Sequence, residues 1–370
     1  MTLALLVGGL LLLIAGGELL VRGASKLAIS TGISPLVVGL TVVAFGTSSP
    51  ELAVSVQAVA GGEVDLALGN VVGSNILNIL FILGLAALIT PLVVDGQIIR
   101  QEVPILIGAS LLLFAFSQDG EISRGEGGVF VALLIIYSTF LIWQSRRQTA
   151  ELQSEYAGER HIADSISRRT HWDEPMPVQL ALIAGGLALL LVGSRWLVIA
   201  ATTIAQQLGV SELIIGLTIL AAGTSMPEVA ATLAAAIKGQ RDIAVGNAIG
   251  SSIFNILCVV GFSSLIAPAA LPVAPALLRF DMPVMIAVAV ACLPIFFTGR
   301  SIARWEGAVF LGYYAAYTLY LILASQQHNA LSTYTLVMQS FVLPLTALTL
   351  VVVVVVVVGR ALRARALPNQ

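Results

Sequence analysis

Two glutamates stand in the middle of long apolar stretches: Glu51 in VVAFGTSSPELAVSVQAVA and Glu228 in ILAAGTSMPEVAATLAAA. A carboxylate at hydrocarbon depth costs at least roughly 2.5–3.5 kcal/mol, and such residues mark ion pathways or proton relays. A helix-end glutamate reaching the headgroups is the plainer reading, and it suits Glu18, with Arg22 one turn later. It does not suit this pair, because neither has an Arg or Lys within two helical turns. Thr47 and Ser48 precede Glu51 by four and three residues, on one helix face, and Thr224 and Ser225 precede Glu228 in the same way. Pro50 and Pro227 each remove an amide and clash with the carbonyl four residues back, near Gly46 and Gly223. Broken helices survive inside a membrane where the freed backbone lines a cavity or coordinates an ion. In the following segments Ser74 and Asn78 are one turn apart, as are Ser251 and Asn255. Each pair shares a face, as site donors or as polar glue between helices. Asn70 and Asn247 read as structural residues at helix starts, and Gly69, Gly73, Gly246 and Gly250 as close-packing positions.

These donors are all oxygens. Cys258 and Cys292 sit in apolar runs and His161, His171 and His328 in polar connections, which leaves no set for zinc or copper. Calcium takes about 6–8 oxygens in flexible geometry, whereas magnesium holds its water too tightly for a dehydrated cage. Sodium could use the carboxylates together with the Thr, Ser and Asn oxygens. Two ionised glutamates without a cation are costly to seal from water. One calcium or two or more sodium ions neutralise them, so the loaded carrier switches sides and transport becomes exchange. Calcium and sodium are then substrates, and no cofactor is expected.

The surrounding sequence must supply membrane helices. Of 370 residues 58% are hydrophobic and 10% charged, against about 25% charged in soluble domains, and the mean hydropathy is +0.98. A net charge of -2 gives no reason to expect a nucleic-acid partner. On the criterion of about 20 apolar residues per crossing, spans are expected near 3–22, 36–60, 66–89, 101–118, 127–144, 178–206, 212–237, 243–267, 281–298, 305–324 and 336–358. The last contains eight consecutive valines, Val351 to Val358. Segment 145–177 is a polar linker with five Arg and six acidic residues.

Residues 37–92 align with 214–269 at a constant offset of 177, with 26 identities in 56 positions. Weaker echoes pair Arg100–Pro104 with Arg279–Pro283 and residues 128–142 with 308–322. The expected fold is an all-α polytopic membrane protein. It has two inverted five-helix repeats (1–144 and 178–325), broken helices 2 and 7, the cytoplasmic linker 145–177, and an extra helix and tail (326–370). Five crossings per half invert the second copy, and inverted repeats place the substrate site near the midplane. The positive-inside rule puts the N-terminus outside and the C-terminus in the cytoplasm of the cell (inner) membrane. No obligate protein partner is inferred.

At GTSxPE and GNxxGSxxxN, each present twice, the chain resembles the sodium/calcium exchangers of the calcium/cation antiporter superfamily, over residues 1–325. The resemblance implies that Glu51 and Glu228 are shared calcium and sodium ligands. It implies oxygens from Thr47 and Thr224, sodium support from Ser48, Ser225, Ser74 and Ser251, and central-site roles for Asn78 and Asn255. It also implies that the first and sixth helices slide over a static core. Asn255 stands where several relatives carry Asp, Ser252 departs from the Asn at position 75, and the eleventh span lies beyond the ten-helix pattern. The linker leaves no room for the calcium-sensing domains of animal exchangers. Calcium/proton exchange and a passive cation channel are the competing functions. A primary pump is excluded, since neither Lys26 nor Lys238 lies in a P-loop.

Overall fold

A computed structural model describes residues 2–61, 64–155, 175–208, 221–297, 299–326 and most of 328–351. Among the described residues nine helices are long and apolar enough to cross a membrane. They are α1 (Thr2–Thr31), α2 (Pro35–Gly61), α3 (Leu66–Ile89), α4 (Ile98–Asp119), α5 (Arg124–Glu155), α6 (Met176–Gln207), α8 (Arg241–Ile266), α9 (Leu277–Phe297) and α10 (Arg304–Ser325). The seventh, α7, is described as Ala221–Thr224 and Met226–Ile237, and residues 209–220 of its expected span lie outside the described residues. Of the eleventh, α11 covers Ala330–Val337 and Met338–Val342. It packs beside α10, where Tyr334 Oη donates to the Ala316 carbonyl at 2.8 Å and Tyr313 hydrogen-bonds Thr346. Val352 to Val358 lie outside the described residues.

Two helices overrun the hydropathy windows. The first continues through Arg22 and Lys26 to Thr31 and ends at Gly32, whose φ of +66° closes the helix with Ile33 N–H donating to the Ala28 carbonyl at 3.1 Å. The fifth runs to Glu155, so the segment expected as linker from residue 145 starts as helix. Polar residues change a helix's surroundings; only a breaker such as Gly32 ends it.

Glycine sets the closest helix contact. A Cβ on Gly9 would lie 2.9 Å from the Gly193 carbonyl oxygen, one on Gly16 2.8 Å from that of Gly186, and one on Gly23 2.9 Å from that of Gln179. The paired numbers run in opposite directions, so α1 and α6 lie antiparallel with their backbones touching at every seventh residue. Of the four glycines expected to pack closely, Gly246 and Gly250 of α8 do so, an added Cβ lying 3.0 Å and 2.8 Å from the carbonyl oxygens of Leu36 and Leu40 in α2, whereas Gly69 and Gly73 of α3 do not, since a Cβ there would meet nothing within 4 Å.

Two short antiparallel ladders tie the connections. Strand β1 (Leu92–Val93) pairs with β4 (Ser301–Ile302), and β2 (Glu121–Ile122) with β3 (Leu271–Pro272). Each joins a first-half connection to the second-half connection that is not its sequence counterpart. Inversion requires that pattern, because equivalent loops of inverted repeats end on opposite faces. An acid–tyrosine pair also recurs. Tyr137 Oη donates to Glu102 at 2.7 Å, while Gln97 donates to the other oxygen at 2.9 Å; Tyr317 Oη donates to Asp281 at 2.7 Å.

Candidate cation site

Helix α2 starts with Ser34 as N-cap, its hydroxyl accepting from Val37 N–H, and Pro35 at the first helical position. It passes through a wider π-helical stretch, Gly39–Val43, and breaks at Ser48 (φ -82°, ψ 3°). Helix α7 breaks at the equivalent Ser225 (φ -89°, ψ 7°). Both serines occupy the sparsely populated bridge region between helix and strand. Pro50 and Pro227 each follow two residues later and prevent the ladder from closing over the break. The carbonyl freed at Gly223 does not face the site: Ser194 of α6 donates to it at 2.5 Å.

Glu51 and Glu228 are fully buried, 0% and 1% exposed, in the first turn beyond each break. Their hydroxyl partners come from the opposite half. Ser225 Oγ donates to Glu51 Oε1 at 2.9 Å, and Ser48 Oγ donates to Glu228 Oε1 at 3.2 Å. The expected serines are therefore present but serve the other glutamate. Ser225 is also 3.0 Å from Ser74, and Thr47 is 3.3 Å from Ser251.

Asn70 and Asn247, read from sequence as helix-start residues, belong to this network. Thr224 Oγ1 donates to Asn70 Oδ1 at 3.2 Å and Thr47 Oγ1 to Asn247 Oδ1 at 3.1 Å. The amides in turn donate to Ser55 and Thr232 at 3.3 and 2.9 Å. Each asparagine thus holds the threonine of the opposite broken helix.

Asn78 and Asn255 stand where α3 and α8 become π-helical, over Leu77–Leu83 and Asn255–Val260, a local widening frequent at functional sites. Asn78 donates through Nδ2 to Ser252 Oγ at 3.4 Å, and Asn255 through Nδ2 to Asn75 Oδ1 at 3.1 Å. Asn75 also donates to the Ser252 carbonyl at 3.1 Å. Asn75 and Ser252 are equivalent positions, and each pins the amide of the opposite asparagine. Their difference in residue type leaves that job intact.

Among these site residues four oxygens remain buried with no hydrogen-bond partner: Glu51 Oε2, Glu228 Oε2, Asn78 Oδ1 and Asn255 Oδ1. With both carboxyls ionised, all four can only accept. Buried acceptors without a donor are costly and rare. Here they come as two repeat-related pairs, whose remaining atoms are held by the other half. Two carboxylates with neutral oxygens form the donor set, and no group of three or more His, Cys, Asp or Glu suited to a metal occurs among the described residues. Such a set suits a hard, oxygen-seeking cation.

The chain matches the family described as sodium/calcium exchanger protein over residues 1–143 and 178–323, and it belongs to that family. The sodium/calcium exchanger MaX1 of Methanosarcina acetivorans is 34% identical over 338 residues, 85% of this chain and 96% of that protein. The inner membrane protein YrbG of Escherichia coli (strain K12) is 40% identical over 269 residues, 72% of this chain and 80% of that protein. A solved structure of the sodium-calcium exchanger NCX_Mj superimposes with a TM-score of 0.70 at 29% identity, covering 85% of this chain and 96% of that one. The protein is an all-helical, multi-span membrane antiporter of the cation/calcium type.

Proposed function

We propose that this chain exchanges sodium for calcium across the cell (inner) membrane by alternating access, without potassium. The observation that carries the reading is the set of four buried, unpartnered oxygens on Glu51, Glu228, Asn78 and Asn255. Calcium would take both carboxylates, whose two charges balance its own, with the amide oxygens completing part of a shell of about 6–8. Sodium ions would share the same carboxylates and the hydroxyls of Thr47, Ser48, Ser74, Thr224, Ser225 and Ser251. Loading by one calcium or by at least two sodium ions neutralises the site, and the empty site keeps two charges that resist burial. This couples the ions without a nucleotide or cofactor.

Calcium uptake into proteoliposomes, driven in turn by a sodium gradient and a proton gradient, tests the coupling. Sodium-driven uptake is expected. Uptake that follows only the proton gradient would make the chain a calcium/proton antiporter, and a steady uncoupled conductance would make it a channel.

The absence of a potassium requirement follows from Asn255. Its amide nitrogen is tied to Asn75, and its free oxygen is neutral, so it offers no charge for a further monovalent ion. Sodium-driven calcium uptake is expected to persist when choline replaces potassium on both sides. Flux that collapses in choline and recovers in potassium would refute this.

A further inference from the structure

Asn247 is not among the proposed cation ligands, yet it joins both broken helices. Its Nδ2 donates to Thr232 Oγ1 at 2.9 Å and to the Glu228 carbonyl at 3.4 Å, both on α7, while its Oδ1 accepts from Thr47 of α2 at 3.1 Å. Asn247, Thr47 and Thr232 are all fully buried. The Glu228 carbonyl can only accept, so the amide nitrogen must face α7 and the amide oxygen must face Thr47. A reversed amide would set two oxygens against each other. The equivalent Asn70 accepts from Thr224 and donates to Ser55.

A hydroxyl carries one proton and two lone pairs, so where its proton goes decides what its oxygen can bind. Thr47 has three oxygens within hydrogen-bonding distance: Asn247 Oδ1 at 3.1 Å, the Ala44 carbonyl at 3.3 Å and Ser251 Oγ at 3.3 Å. The Ala44 carbonyl already accepts from Ser48 N–H at 2.9 Å, and Ser251 can itself donate. The amide oxygen is therefore the natural end of the Thr47 proton. The hydrogen bonds then run one way, from Ser251 to Thr47 to Asn247, and the amide nitrogen closes the chain on α7. This polarity leaves one lone pair on Thr47 and both on Ser251. Without Asn247, the Glu228 carboxylate, near enough to act on the Thr47 hydroxyl, would draw that proton into the site. A proton there repels a cation.

We propose that Asn247 is a positioning residue for sodium: it holds the Thr47 proton out of the site and turns the hydroxyl lone pairs of Thr47 and Ser251 toward the ion. This rests on the reading of sodium as the coupling ion, with those hydroxyls among its ligands. Calcium, which takes the carboxylates and the Asn78 and Asn255 oxygens, does not depend on that proton. Asn247 thereby acts on the balance between the two ions and not on binding in general.

The test uses the full-length protein in proteoliposomes, with sodium-driven calcium uptake and sodium-free calcium–calcium exchange measured side by side. Asn247→Ala should raise the sodium concentration for half-maximal exchange about tenfold, the scale of outer-shell losses at metal sites. Its calcium–calcium exchange should stay as in the parent, which also shows that the variant is folded. Thr47→Val should give the same sodium shift, and Asn247→Ala/Thr47→Val should go no further than Thr47→Val alone, because the two residues act through one hydroxyl. Asn247→Asp keeps an acceptor in the same place and should keep sodium half-saturation at or below the parent's. Additive shifts in the double variant, equal losses for sodium and calcium, or an aspartate as damaging as alanine each overturn the proposal. Uptake by the unaltered protein that ignores the sodium gradient refutes sodium exchange itself, whereas normal coupling there with additive shifts in the variants refutes only the role of Asn247.

Discussion

Glu51 has one oxygen held by Ser225 and the other unpartnered, so replacing it with glutamine changes charge more than shape. An amide supplies one acceptor and two donors, and the donors would point at the position a cation must take. Glu51→Gln and Glu228→Gln are each expected to abolish calcium transport while leaving yield and gel-filtration behaviour unchanged. Near-normal sodium-driven flux in both would dismiss the site. Asn75 acts one step further out, because it orients Asn255 through its carbonyl oxygen. Asn75→Ala should raise the calcium concentration for half-maximal flux by about tenfold or more, the scale of outer-shell losses at metal sites. Asn75→Ser should largely restore it, since serine already does this work at position 252. Equal behaviour of Ala and Ser would mean that Asn75 merely packs. That these residues converge was legible in the sequence, because a polar residue that recurs at an offset of 177 in apolar surroundings marks a position common to both halves. Their partners were not. Ser48 sits one turn from Glu51 in sequence, yet bonds Glu228, and only the relative placement of the halves decides that.

At the scale of single elements, the antiparallel α1–α6 pair depends on the absence of side chains at its contact points. A Cβ on Gly186 would lie 2.6 Å from the Leu20 amide nitrogen, whereas Gly185 has no atom within 4 Å of the same position. Gly186→Leu is expected to destabilise the protein by about 1–3 kcal/mol, and Gly185→Leu to be nearly neutral, by thermal unfolding in detergent. Similar losses in both would remove the seam as the cause. The glycine spacing was visible in the sequence, but its partner helix was not, since a heptad of glycines fits any close neighbour. Hydropathy placed the helices and misjudged the ends of α1 and α5 because it reads polarity rather than helix termination. The breaks in α2 and α7 were readable from Pro50 and Pro227. The capping of the Gly223 carbonyl by Ser194 was hidden, for it depends on a helix 29 residues away in sequence. The acid–tyrosine pairs were hidden for a similar reason, since the repeat is weak between α4 and α9 and nothing local joins Glu102 to Tyr137.

For the whole molecule, orientation decides which connections face the cytoplasm. With the N-terminus outside, cysteine tags placed in segment 145–177 should be protected from an impermeant reagent applied to intact cells, and a tag at His328 should react. The reverse labelling would overturn the assignment and the count of crossings. The crosswise ladders β1–β4 and β2–β3 favour inverted halves irrespective of which face is outside.

The exchange of hydrogen bonds between halves also bears on how the protein is made. Glu51 and its donor Ser225 are 174 residues apart. At a synthesis rate of about 5–20 residues per second, roughly 9–35 s separate the emergence of the two. Through that interval the ribosome has delivered a first half whose glutamate lacks its hydroxyl partner. A nascent chain in this condition has reason to stay near the insertion machinery, where water reaches it, until the second broken helix arrives. Final burial of the two carboxylates is therefore a late and mutual event in biogenesis, in which each half completes the other.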